Sequence, residues 1–287
     1  FKKWENDIHE LFPEIQVNAL GNLSEKVIGN YYDGNHGLKI PEGSITLVTN
    51  EALNNIAFTE KSIKNDLKQD YADLLALNED LSSDNDRTRA EANGKILDKA
   101  GVSNKVDNSY FVFFENTGFD HVTVDEAHRF KNLFKVPRPK KGQNNEFANM
   151  GTGEPSKRAL KMFNITQLIQ KHNEGRNVFM LTATPFTNSP LEVYSMLSYI
   201  ARKELEQQNI KDLYNFCEEY SNTRLELVVT PSNDVKLSTV MKEFNNLNGL
   251  QNILKQFIDK VDGEEADIVR PDKVVNPVII EPTDVQK

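Results

Sequence analysis

Two short strings carry the residue types best suited to phosphate chemistry: Asp125-Glu126-Ala127-His128 and Thr182-Ala183-Thr184-Pro185. Adjacent carboxylates at a strand end point in different directions. One can then hold a hydrated magnesium ion while the other orients or deprotonates an attacking water, the division of labour that nucleotide hydrolysis needs. The plainer alternative for Asp125-Glu126 is a solvated turn. Against it stands the apolar run just before the pair, Val122-Thr123-Val124, which reads as a short strand. Val178-Phe179-Met180-Leu181 reads as a second strand and ends on the threonine string in the same way.

The elements around these strings must place them. Residues 3–12 have the spacing of a short amphipathic helix closed by Pro13, and 44–49 are rich in β-branched residues after a Pro-Glu-Gly turn, a strand signal. From 59 to 108 the pattern reads as a helical insertion. Ile63, Leu67, Tyr71, Leu74 and Leu75 keep helical spacing, and 82–86 break the region into two helices. Residues 156–172 read as an amphipathic helix with Leu160, Phe163, Ile165, Leu168 and Ile169 apolar. A further helix opens with Ser189 as cap, Pro190 in first position and Glu192 closing a capping box. Helices are also expected at 211–221 and 247–260, and 274–285, with Pro277 and Pro282, should be extended. Strand and helix in alternation predict an α/β fold with a parallel sheet flanked by helices. Ligands in such folds sit beyond the carboxyl ends of the strands, where both strings fall.

The longer run Val122-Thr123-Val124-Asp125-Glu126-Ala127-His128-Arg129-Phe130-Lys131-Asn132 resembles motif II of the SWI/SNF-type branch of superfamily 2 helicase-like ATPases. Leu181-Thr182-Ala183-Thr184-Pro185-Phe186-Thr187-Asn188 resembles its motif III. Residues 45–53 resemble the strand and turn that contact DNA in that family, and 4–13 the segment after motif Ia, where a Trp precedes an acidic helix ending in Phe-Pro. The runs 188–196 and 244–250 are similar to the helicase part of DNA methylase–helicase polyproteins of phages and conjugative elements. The resemblance implies a RecA-like, P-loop NTPase-type lobe over about 1–200, with a helical extension and linker over 201–287. It also implies ATP and magnesium as cofactors, double-stranded DNA as partner and a cytoplasmic motor. In that setting Asp125 would bind magnesium through water and Glu126 would activate the attacking water. His128 would connect the nucleotide site to motif III, and Thr182, Ala183, Thr184 and Asn188 would couple hydrolysis to lobe movement. Thr49 would contact DNA.

There are departures from the family pattern. No Gly-x-x-x-x-Gly-Lys-Ser/Thr loop is present. The nearest string, 151–157, has the wrong spacing, and Pro155 removes an amide donor, so the backbone cradle for β- and γ-phosphates is missing. The chain opens on Phe1 rather than Met, and we expect the phosphate loop upstream of Phe1 and the second lobe beyond Lys287. The cations Arg129, Lys131, Lys135, Arg138, Lys140 and Lys141 follow motif II without an intervening acid. They could grip a DNA backbone, but a solvated loop is the favoured reading.

Bulk properties narrow the classes. A net charge of −9 argues against a nucleic-acid binder that uses its whole surface, though not against a local basic patch. The longest dense apolar run, 110–114, is too short to span a bilayer. Cys217, the sole cysteine, shares a helix face with Leu213, Phe216 and Tyr220 and reads as a core residue. The five histidines show no metal-ligand spacing. His121 is expected to pack, and His9, His36 and His172 to lie on the surface. Trp4 could stack on a base, with core or interface packing preferred. The alternatives to a motor are a non-catalytic lobe that binds DNA or protein, and a metal-dependent nuclease, which would need further acids and a lysine cluster.

Overall fold

The computed structural model describes residues 1–67, 86–102, 112–134, 154–186, 190–229, 235–263, 265–267 and 276–277. The chain opens with α1 (Lys2–Leu11), β1 (Val17–Gly21), α2 (Glu25–Ile28) and β2 (Ile45–Val48). After a 3-10 turn at Asn50–Asn55 come β3 (Ile56–Ala57), α3 (Glu60–Asp66), α4 (Asp86–Lys99), β4 (Val112–Phe113) and β5 (Val122–Val124). A further 3-10 turn, Ala127–Phe130, leads toward α5 (Lys157–His172), β6 (Val178–Met180) and α6 (Pro190–Ile200). The rest comprises α7 (Arg202–Gln207), α8 (Leu213–Tyr220), β7 (Ser221–Val229), β8 (Val235–Phe244) and α9 (Leu247–Phe257). No helix among the described residues is long and apolar enough to cross a membrane.

The fold is mixed α/β, and among the described residues its parallel strands join as pairs rather than as one hydrogen-bonded sheet: β1 with β2, β3 with β4, β5 with β6. Strands of two to five residues are too short to carry a ladder far. The fourth pair corrects the expectation of a purely helical extension. β7 and β8 form an antiparallel hairpin, with Leu227 opposite Leu237. The signal was there to read: Thr223 to Leu227 alternates apolar and charged residues, and the turn string Pro231-Ser232-Asn233-Asp234 follows.

Helix α5 is the centre of the packing. Ser156 caps it, its hydroxyl accepting from the Ala159 N–H at 3.1 Å. Sequence spacing predicts one apolar face, but every residue from Ala159 to Gln170 is buried. Its polar members find main-chain partners. Asn164 donates to the Ala100 carbonyl at 3.3 Å, Gln167 to that of Ser198 at 3.1 Å and Gln170 to that of Tyr199 at 2.5 Å. These bonds offset the desolvation that would otherwise disfavour burying amides. Lys161 is the extreme case, 1% exposed, its ammonium donating to the carbonyls of Leu53 at 2.6 Å and Ile56 at 2.5 Å. Gly101, at φ +76°, makes room for it, since a Cβ there would lie 2.6 Å from Lys161 Cε.

One hydrophobic cluster runs from Leu20 through α5 and α6 to Ile253. Tyr194 joins the loop after β5 to α8, with ring centroids 5.0 Å from Phe134 and 5.3 Å from Phe216. Cys217 is buried here beside Leu213, Phe216 and Tyr220, as the spacing predicts, and burial pushes its thiol up to about 12. It is therefore a packing group, not a nucleophile.

Candidate functional site

The two strings meet at one rim. In the parallel β5–β6 pair Val122 faces Val178, Thr123 faces Phe179 and Val124 faces Met180, so both strands end level. The ladder continues into the loops: the Leu181 N–H donates to Val124 O at 2.8 Å and the Ala127 N–H to Leu181 O at 2.9 Å. Side chains then close the contact. His128 Nδ1 lies 3.2 Å from Thr182 Oγ1 and 3.2 Å from Glu126 Oε2. A carboxylate beside Nδ1 favours the tautomer with its proton there. Thr182 Oγ1 also accepts from the Thr184 N–H at 3.2 Å, which fixes the turn after β6.

The acids are held apart by the backbone. Glu126 adopts the left-handed conformation, φ 54° and ψ 46°, unusual for a residue with a Cβ. That reversal sends its side chain toward His128 while Asp125 turns back. Asp125 Oδ1 accepts the Glu126 N–H at 2.9 Å, and Oδ2 accepts the indole N–H of Trp4 at 2.9 Å. Trp4 thus departs from the packing expected of it. Trp4 is 39% exposed, and its indole N–H is spent on Asp125. No spacing rule links positions 121 residues apart, so only the fold could reveal this pair.

The donor chemistry suits a hydrated magnesium ion. Asp125 and Glu126 are exposed hard-oxygen ligands. Among the described residues no group of three or more His, Cys, Asp or Glu could hold a metal ion unaided. Magnesium at nucleotide sites does not need one, since waters and phosphates complete its shell.

The residues around the rim divide. Lys131 gives its ammonium to Glu192 at 2.8 Å, a largely buried pair that ties the loop after Asp125 and Glu126 to α6. Glu192 was expected to close a capping box, and this pair is what its carboxylate makes with a described partner. Arg129 is exposed. Glu51 is held below the usual carboxylate range chiefly by its own backbone N–H, with Arg158 and Arg129 adding charge attraction. It stands on the loop that Lys161 fastens to α5. Asn188, Ser189, Lys140 and Lys141 lie outside the described residues. His121 packs as expected, at the surface. It is exposed and stacks on Phe179 at 5.3 Å.

A buried tyrosine that sequence reading passed over braces the site from behind. Tyr199 is 0% exposed, and its hydroxyl lies 2.9 Å from Phe130 O and 3.1 Å from Ala159 O. It joins the 3-10 turn of motif II to α5, and complete burial raises its pKa well above the ordinary value. We expect Tyr199→Phe to cost about 1–3 kcal/mol, because Phe130 O is left buried without its donor. A urea melt shifted by less than a tenth of that would refute this role.

Comparison with known proteins places this arrangement. Residues 50–261, well over half of the chain, match the family described as "Probable helicase domain". Over 178 residues the chain is 30% identical to "Defense against restriction protein B" of Escherichia phage P1, a match taking in 62% of the chain and 8% of that protein. The chain thus spans less than a tenth of this relative's length. No solved structure matches it.

Proposed function

We propose, because the chain belongs to the probable helicase domain family, that it forms part of the first RecA-like lobe of an ATP-driven motor on duplex DNA, of the SWI/SNF-type branch of superfamily 2. The observation that carries this reading is the junction of the two motifs, His128 Nδ1 standing 3.2 Å from Thr182 Oγ1 across adjacent parallel strands. In the intact protein Asp125 would hold magnesium through water. That ion, when bound, neutralises charge on the phosphates of ATP. Glu126, projecting from the left-handed turn, would orient and deprotonate the attacking water. A change at Glu126 would be felt by His128, whose Nδ1 lies 3.2 Å from the Glu126 carboxylate and 3.2 Å from the Thr182 hydroxyl, so the state of the nucleotide reaches the strand that leads to α6. Movement along duplex DNA without strand separation is the expected output.

Two features of β6 support a sheet that continues beyond the pair seen here. The alternation of a parallel ladder turns the main-chain groups of Val178 and Met180 away from β5, and no strand pairs on that edge among the described residues. One face is bare as well, with Phe179 55% and Leu181 40% exposed, whereas parallel sheets are normally covered on both faces. A strand and helix bearing the phosphate-binding loop would satisfy both needs.

The test compares the chain with the full-length protein. The chain alone should release no phosphate from ATP above background, for want of the cradle. The full-length protein should hydrolyse ATP in a manner stimulated by duplex DNA and should displace a third strand from a triplex. Full-length protein that binds DNA yet never turns over ATP would establish the non-catalytic binding module instead.

A further inference from the structure

Helix α1 sits on the acid that matters most to the proposed chemistry. Both oxygens of Asp125 are taken by N–H donors, Oδ1 by its neighbour's backbone and Oδ2 by the indole of Trp4. A hydrated cation bound to Asp125 donates from its waters to the same oxygens. Each carboxylate oxygen accepts two hydrogen bonds, and the indole fills one of the two at Oδ2, so the indole and the ion's waters contend for the same edge of the carboxylate.

The helix carrying Trp4 is lightly held. Ile8 is its buried residue, while Phe1, Leu11 and Phe12 at its ends are 47%, 70% and 47% exposed. An element with so little buried apolar surface can open at low cost. We infer that α1 is a latch on the metal site: Trp4 holds Asp125 in the metal-free state, and a divalent cation at Asp125 releases Trp4. The inference rests on the reading of Asp125 as the metal-side acid and adds that metal occupancy is relayed to α1 and the β1 strand it packs against.

The relay has an optical readout, because Trp4 is the only tryptophan of the chain. On titration with magnesium chloride to saturation, where waters complete the shell of an ion held at Asp125, the emission of Trp4 should shift to longer wavelength and become more open to acrylamide quenching. In Asp125→Asn the amide oxygen can still accept the indole N–H, so the starting spectrum should persist and the magnesium response vanish. Trp4→Phe should bind manganese, followed by the loss of its free-ion resonance, about 3- to 10-fold more tightly than wild type, the worth of an exposed hydrogen bond to a carboxylate.

The outcomes separate the two claims. Manganese binding that weakens on Asp125→Asn but is equal in wild type and Trp4→Phe overturns the latch and keeps the metal reading. Binding untouched by Asp125→Asn removes the metal reading, and the latch with it. The magnesium-dependent emission of the wild type needs no change at Trp4, so a poorly folded Trp4→Phe still leaves the latch open to refutation by a flat titration.

Discussion

Glu126→Gln in the full-length protein should lower the DNA-stimulated turnover of ATP by about 10²- to 10⁴-fold, the usual contribution of a positioned general base. The substitution keeps size and shape, and Glu126 is half exposed at the site, so the fold should not pay for it. What changes is chemical. The amide cannot take a proton from water, and His128 Nδ1 at 3.2 Å loses its carboxylate partner. ATP binding should stay within about threefold of wild type, because Glu126 acts on water rather than on the nucleotide. Loss of binding and turnover together would make Glu126 a ligand of the nucleotide complex. Unchanged turnover would end the motor reading, since no other described acid shares this turn with Asp125.

The second large effect is on stability. Lys161→Met should destabilise the chain by about 2–4 kcal/mol at pH 9. Methionine fills much of the same volume, but the buried carbonyls of Leu53 and Ile56 lose donors at 2.6 and 2.5 Å, and each acceptor so orphaned costs about 1–3 kcal/mol. Relief from burying the lysine's polar end offsets part of this. The effect depends on pH in a definite sense. Burial, with a smaller contribution from Lys157, lowers the Lys161 pKa from 10.5 to about 7. Between those values the unfolded chain binds the proton that the folded chain has released, so wild-type stability rises with pH across the window. The contribution is full above 10.5 and lost as pH falls through about 7. Urea melts at pH 6 and pH 9 should therefore show the gap between wild type and Lys161→Met widening at the higher pH. A gap that is constant, or wider at pH 6, would contradict it. Because Lys161 fastens the loop of Thr49 and Glu51, the same variant offers a way to loosen that loop without touching motif II.

Local signals were legible along the chain because they depend on neighbours in sequence. The strand 122–124 and its acids, the strand 178–180 and its threonines, the helix over 156–172 and the buried stripe around Cys217 all follow from periodicities and turn chemistry within a dozen residues. The family follows from the same strings, and the match over 50–261 bears it out at the level of a helicase domain. Where reading from sequence fell short, the deciding partner lay elsewhere. The hairpin of β7 and β8 had alternation and a turn string but sits among helices, and the helical context prevailed wrongly. Helix α5 looked amphipathic because its polar residues resemble a solvated face. Only packing on several sides, with main-chain carbonyls as partners, shows why Lys161, Asn164 and Gln167 are inside.

The sequence by itself therefore determined the chemistry available: two acids, a histidine and two threonines at strand ends. Tertiary structure decided who meets whom. It set the strands level so that His128 reaches Thr182, turned Glu126 away from Asp125 and brought Trp4 onto Asp125. The physical reason is one of range. Propensity and periodicity act over a few residues, whereas hydrogen bonds across 54 or 121 positions exist only after the core has closed and the chain entropy opposing them has been overcome.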